Sequence, residues 1–183
     1  FFLSISVLTC SIFIYRQVNA IFNAETGVNR ENIIILNTML WYDVEDFIQI
    51  VKKENPNIID ASIASSAPYN SSYNYSGVSW TDGKESSREM SFTNIFCDHN
   101  YANTFGIEIV QGEFIPPNLK WWQHSEEKSF HIVINEAFKK IIGVDNPIGI
   151  TVNYAWGMSG KIIGVVKDFN FKPLKEDISP LII

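Results

Sequence analysis

Three positions close together, Gly143, Pro147 and Gly149, leave the backbone between His131 and Asp168 little freedom. Pro147 has its φ set by its own ring, and Gly149 tolerates positive φ, so Asp145-Asn146-Pro147-Ile148-Gly149 can only be a turn. What precedes it reads as a short apolar strand, His131–Ile134, running into a helix. Asn135 caps that helix, and Glu136 puts a carboxylate in its first turn, where the helix dipole favours negative charge. Ala137, Phe138, Ile141 and Ile142 share one helical face, and Gly143 supplies a left-handed C′ residue. After the turn, Thr151–Tyr154 and Lys161–Lys167 read as two strands joined by the hairpin-length loop Ala155-Trp156-Gly157-Met158-Ser159-Gly160.

The N-terminus poses a different constraint. Phe1–Tyr15 carries no charge, its only polar residues being hydroxyls and one thiol. As a helix it is roughly 22 Å long at ~1.5 Å per residue, and a membrane span takes about 20 apolar residues. Helical pattern continues through Val18, Ile21 and Phe22. A signal peptide would close in a small-x-small cleavage site, and Tyr15-Arg16-Gln17 stands there instead. A buried core helix is the remaining alternative to a span. The chain starts Phe1-Phe2 without Met and ends Pro180-Leu181-Ile182-Ile183 inside an expected strand, so a piece of a longer protein is expected.

Between these regions the chain alternates. Ile33-Ile34-Ile35-Leu36 reads as a strand buried on both faces. Asp43 caps a helix, with Asp46 in a capping-box-like position. Val44, Phe47, Ile48 and Val51 form its sheet-facing stripe, Lys52 and Lys53 suit its negative end, and Asn55-Pro56 stops it. Ile58–Ser65 is the next strand, making a βαβ-like unit or its antiparallel variant. Ser65–Ser76, rich in Tyr, Ser and Asn, is a loop: either a recognition loop presenting Tyr69, Tyr73 and Tyr75, or a solvated connector. Gly77–Thr81 and Arg88–Cys97 form a hairpin about Asp82-Gly83. Asp98 caps a short helix, Asn100–Phe105, closed by Gly106, and Ile107–Val110 is a short strand. Pro116–Ser129 is a polar loop in which Trp121-Trp122 either makes a partner contact or covers a core edge.

Much chemistry is excluded. The net charge of −6 and absence of a Lys/Arg cluster argue against nucleic-acid binding, which depends on neutralising phosphates. Gly157-Met158-Ser159-Gly160-Lys161 has the wrong spacing for a phosphate-binding loop. His99, His124 and His131 are scattered, no metal-ligand spacing occurs, and no Gly-x-Ser-x-Gly elbow is present. Cys10 and Cys97 lie far apart and suggest no disulfide. Asp168 follows a strand and is the one acid worth watching, although no second acid, His or nucleophile can be assigned beside it. No catalytic, cofactor or metal residues are therefore expected.

Val133-Ile134-Asn135-Glu136-Ala137-Phe138, Gly143, Asn146-Pro147-Ile148-Gly149 and Ile162-Ile163-Gly164-Val165-Val166-Lys167-Asp168-Phe169, in this order, resemble the MacB-like periplasmic core domain of FtsX-type ABC transporter permeases. Upstream, Gln17, Gly27, Asn29 and Glu31-Asn32-Ile33 are similar to the connector after the first span. Gly106, Gly112 and Phe114 also match, while Glu113 stands where the family usually has Arg. The matched residues Gly106, Gly112, Phe114, Asn135, Glu136, Gly143, Pro147, Gly149, Gly164 and Asp168 are expected to be structural.

The resemblance implies an α+β fold: mixed sheets with flanking helices in two small subdomains, preceded by the end of a transmembrane helix. Its parts are the helix end (1–22), a connector (23–32), a first and incomplete subdomain (33–97), a second subdomain (98–168) and a return segment (169–183). It further implies a non-catalytic extracytoplasmic domain in the inner membrane, outside from about residue 23. Motion would reach it from a cytoplasmic ABC ATPase subunit or domain and pass to an envelope substrate or a periplasmic or outer-membrane partner. A homo- or heterodimer of permeases follows, with no cofactor in the domain. A membrane-anchored ligand-sensing domain is the alternative, and a secreted enzyme ranks below both for want of a catalytic set.

Overall fold

The computed structural model describes residues 1–37, 44–69, 71, 74–81, 88–117, 129–154 and 157–183. Four helices are present among them: α1 (Phe2–Phe22), α2 (Val44–Glu54), α3 (Tyr101–Phe105) and α4 (Glu136–Ile142). Seven strands accompany them: β1 (Asn74–Thr81), β2 (Arg88–Asn94), β3 (Ile109–Gly112), β4 (Ser129–Asn135), β5 (Thr151–Tyr154), β6 (Met158–Val166) and β7 (Leu181–Ile182). The class is α+β, with an apolar N-terminal helix ahead of a mixed sheet.

The strands hydrogen-bond in the order β3-β6-β4-β7-β2-β1-β5, and β5 returns to pair with β6. This closes a ring of six strands, β6-β4-β7-β2-β1-β5. Strand β6 makes the closure possible by its length. Its first half, through Lys161, pairs with β5, and its second half, from Gly164, pairs with β3. The β4–β6 and β2–β7 pairs are parallel and the others antiparallel. Strands from both expected subdomains, 33–97 and 98–168, thus share one hydrogen-bonded sheet, and the return segment supplies β7 between β2 and β4.

Two apolar clusters lie on opposite faces of this sheet, because successive strand residues point to opposite sides. Val78, Trp80, Phe92, Ile132, Ile134, Val152, Ile162 and Ile182 come together on one face, where Phe138 and Ile142 of α4 join them. Val133, Val166, Leu181 and Ile183 point the other way, onto Ile95, Tyr101, Ala102, Phe105, Phe169 and Phe171. The runs Ile132-Val133-Ile134 and Leu181-Ile182-Ile183 are continuously apolar because both of their faces are buried.

Several expectations are corrected. Ile33–Leu36 forms no strand, and Ile34, Ile35 and Leu36 are exposed. A strand needs a backbone partner, and no described strand lies beside this run. Ile58–Ser65 is likewise not a strand. It makes one bridge, Ala64 with Cys97, supported by Ser65 N–H donating to Phe96 O. With neither flanking strand formed, α2 has no sheet to cover: Phe47 is exposed, and Ile48 and Val51 are only half-buried. The βαβ-like unit expected over residues 33–65 does not form among the described residues. Asp43, Asp82-Gly83 and Ala155-Trp156 fall outside those residues.

Smaller shifts concern boundaries. Asn74–Ser76, placed in the loop by composition, belongs to β1. Strand β2 ends at Asn94, before Cys97, and β6 starts at Met158, before Lys161. The strand expected at Ile107–Val110 lies at Ile109–Gly112. Helix α3 begins after Asn100, which makes no side-chain cap bond. Asp98 accepts from the Ser62 hydroxyl and is also held by the Ile63 and Asn100 backbone groups, the latter at the entry to α3.

Candidate functional site

Three of the matched residues, Asn135, Glu136 and Asp168, meet where β4 becomes α4. Asn135 is fully buried at the N-cap of α4 with extended backbone. Its Oδ1 accepts from the backbone N–H of Phe138 at 3.0 Å and of Leu181 at 2.9 Å. Its Nδ2 donates to Asp168 Oδ1 at 2.8 Å and to Ser179 O at 3.0 Å. One amide thereby uses its full hydrogen-bonding capacity to tie together α4, the exit of β6 and the return segment. A carboxylate could not replace it, having no donor to offer.

Asp168 completes the knot. Its Oδ1 also accepts from Ala137 N–H at 3.0 Å, in the first turn of α4, while its own N–H donates to Glu136 Oε2 at 3.2 Å. Burial pushes the Asp168 carboxyl above the ordinary carboxylate value, the Glu136 charge adds to this, and the Ala137 and Asn135 donors oppose it. Asp168 is a cap across two elements, bonded to Asn135 and to the first turn of α4.

The matched glycines mark close approaches. Gly112 and Gly164 face each other in the β3–β6 pair. A Cβ at Gly164 would collide with the Glu113 carbonyl, and one at Gly112, where φ is 72°, with the Ile163 carbonyl. Phe114 follows this crossing and packs half-buried against the α3 side. Gly106 and Gly143 hold left-handed conformations at the ends of α3 and α4, as the helix-stop pattern predicts. In the turn, Asn146 Oδ1 accepts from Ile148 N–H, Ile150 N–H donates to Pro147 O, and Gly149 takes φ 92°.

A second junction was not legible as a unit in the sequence. The connector after α1 is not free: Thr26 is buried and accepts at its carbonyl from Asn170 N–H, 2.8 Å. Gly27, at φ 76°, lies so close to Phe169 that a Cβ there would stand 2.9 Å from the Phe169 Cβ. Val28 packs on the α3-side cluster, and Asn29 N–H donates to Phe105 O at 2.7 Å. Gly27 and Asn29 resemble a connector in sequence; their packing depends on Phe169 and Phe105 lying beside them in the fold.

The proposed contact residues scatter. Tyr75 sits in β1 and stacks on Phe92, with ring centroids 5.8 Å apart. Tyr69 remains exposed. Tyr73, Trp121 and Trp122 lie outside the described residues. Around the loop base, Tyr101 donates its hydroxyl to Ser66 O, and burial pushes both its phenol and the Cys97 thiol up.

Helix α1, every residue of which is exposed, is long and apolar enough to cross a membrane. At ~1.5 Å per residue it spans about 31 Å, the thickness of a bilayer's hydrocarbon core at about 30 Å.

No protein-family model and no curated protein sequence matches the chain. Solved structures do. The periplasmic region of MacB from Actinobacillus actinomycetemcomitans aligns at 18% identity with a TM-score of 0.43, over 83% of this chain and 65% of that one. The extracellular domain of the noncanonic ABC-type transporter YknZ from Gram-positive bacteria aligns at 14% identity with a TM-score of 0.38, over 72% and 65%. The chain therefore spans just under two thirds of both. Those two structures are described as a periplasmic region and an extracellular domain, respectively.

Proposed function

We propose that this chain is the extracytoplasmic core domain of an ABC transporter permease, anchored in the inner membrane by α1 and lying outside it from about residue 23. The observation that carries the reading is the attachment of α1. An exposed, apolar, membrane-length helix ends at Phe22, and four residues later the chain is bonded into the folded body at Thr26. A flexible tether has no need of such an attachment; a helix that moves its domain does. The motif order supports the same class.

On this reading the domain does no chemistry. ATP is hydrolysed by a cytoplasmic ABC ATPase subunit or fused domain, and the membrane helices carry the motion outward to a two-state element. The domain passes it to an envelope substrate or to a periplasmic or outer-membrane partner, working as a homo- or heterodimer of permeases. The matched residues serve as structure: Asn135, Glu136 and Asp168 as the knot, Gly112 and Gly164 as the close crossing. Tyr69, Tyr73, Tyr75, Trp121 and Trp122 are the residues offered for partner contact, with Tyr75 doing so from a stacked position in β1.

The test is purification of the full-length protein from membranes. An ATP-binding chain or domain is expected with it, and its hydrolysis of ATP is expected to disappear with the ATPase component alone. Recovery of the full-length protein from the soluble fraction without detergent overturns the reading.

A further inference from the structure

We propose that residues 26–29 form a rigid joint through which α1 drives the body, with Gly27 against Phe169 as its bearing contact. The proposal rests on the relay reading above and locates where the motion enters the domain.

Three bonded contacts define the joint. Asn170 N–H donates to Thr26 O, Asn29 N–H donates to Phe105 O, and Thr26 Oγ1 donates to Val28 O at 3.3 Å. The first ties the connector to the exit of β6 and the second ties it to the end of α3. Between them Gly27 presses its backbone against Phe169, with Phe169 Cα 3.1 Å and Asp168 O 3.2 Å from where a Cβ would sit. Phe169 is itself buried and packs edge-on to Phe171, ring centroids 5.7 Å apart. Asp168, next to it in the chain, is held by Asn135 and the first turn of α4. Displacement of α1 is therefore handed through contacts of fixed length to α4, and through Asn135 to β7. Bending of the connector between Thr26 and Asn29 is opposed at both ends, because the Thr26 carbonyl and the Asn29 N–H are each bonded to the body.

Glycine is required twice over. At φ 76° any other residue carries left-handed strain, and its Cβ would meet backbone and side chain of Phe169 that have no room to move. Replacement by valine is expected to open the joint first, since the residue it strikes, Phe169, belongs to the α3-side cluster and the cluster on the other face of the sheet does not touch Gly27.

The experiment uses the full-length protein with its ATPase in lipid nanodiscs, read by amide hydrogen exchange with and without ATP plus vanadate. In the wild type, nucleotide is expected to change exchange within the body. In Gly27→Val, the Asn29 and Asn170 amides are expected to exchange about 5- to 30-fold faster, the factor that left-handed strain corresponds to. The paired Val133 and Ile183 amides report whether the core stays folded. The nucleotide response of the body is expected to vanish although the ATPase still binds. A short Gly-Ser insertion after Asn23 serves as the second variant: it leaves every joint bond in place and should abolish the response too.

A response that survives in the insertion variant, or in a Gly27→Val protein whose joint amides have opened, overturns the joint while leaving the relay reading intact. Unchanged Asn29 and Asn170 protection in Gly27→Val overturns it equally. A core that unfolds in that variant hands the decision to the insertion. A wild type with no nucleotide response overturns the relay reading and the joint with it.

Discussion

Asn135 is the side chain on which the most structure depends, and two substitutions separate what its two ends do. Asn135→Ala removes the cap of α4, a loss of about 1 kcal/mol. It also strips the partners from Leu181 N–H and Ser179 O, which sit beside a fully buried position. Each orphaned group costs about 1–3 kcal/mol, and the small cavity left behind admits water, so the low end applies. The sum is about 3–4 kcal/mol. With a urea slope of about 2 kcal/mol per molar, the unfolding midpoint should fall by about 1.5–2 M, followed by circular dichroism.

Asn135→Asp keeps the shape and the acceptor, but sets a second carboxylate against Asp168 where the amide now stands 2.8 Å away. Two carboxylates that close share a proton, so one folded-state pKa rises above its unfolded value. The folded state then holds a proton that the unfolded state releases. Stability is therefore greatest at acid pH and is lost as pH rises through the raised value. Asn135→Asp should be as weak as Asn135→Ala at pH 7 and recover about half or more of the deficit near pH 4, whereas Asn135→Ala shows no such recovery. A midpoint drop under about 0.5 M for both variants, or parallel pH profiles, refutes the knot.

Gly164→Ala should cost about 2–3 kcal/mol by the same urea measurement, because its Cβ meets the Glu113 carbonyl and β3 must be pushed off β6. Gly77→Ala, where a Cβ meets nothing, should cost only the left-handed strain of about 1–2 kcal/mol; equal losses at the two sites would remove the argument from close approach. Asp98 is raised above its ordinary 3.8 by burial, with Ser62, the Ile63 and Asn100 backbone groups and His99 opposing. It therefore binds its proton more tightly folded than unfolded, and stability falls as pH climbs from 3.8 through the raised value. Asp98→Asn should flatten that part of the stability profile, and an unaltered slope would count against the assignment.

Much of the second half was legible because its signals are local. Asn135 as cap, Gly143 as helix stop, the Pro147–Gly149 turn and the β5–β6 hairpin each depend on backbone preferences within a few residues. The first half misled where the signal was only hydrophobicity. Ile33–Leu36 and Ile132–Ile134 look alike in sequence, yet the first forms no strand and exposes Ile34, Ile35 and Leu36, while the second is buried on both faces. The difference is the presence of β6 and β7 on either side of β4, which no pattern inside either run records.

The candidate site divides the same way. Their order in the chain singled out Asn135, Asp168, Gly112 and Gly164, and the chemistry of an amide, a carboxyl and two glycines bounded what they could do. Why they matter was decided by meetings across long stretches of sequence: Asn135 with Leu181, Gly112 with Gly164, Gly27 with Phe169. Local propensity acts through one residue's own dihedrals and its nearest neighbours, so the chain alone settles helices, caps and turns. Contact between distant backbones depends on which strands become neighbours, and only the closing of the sheet by β5 and β7 determines that.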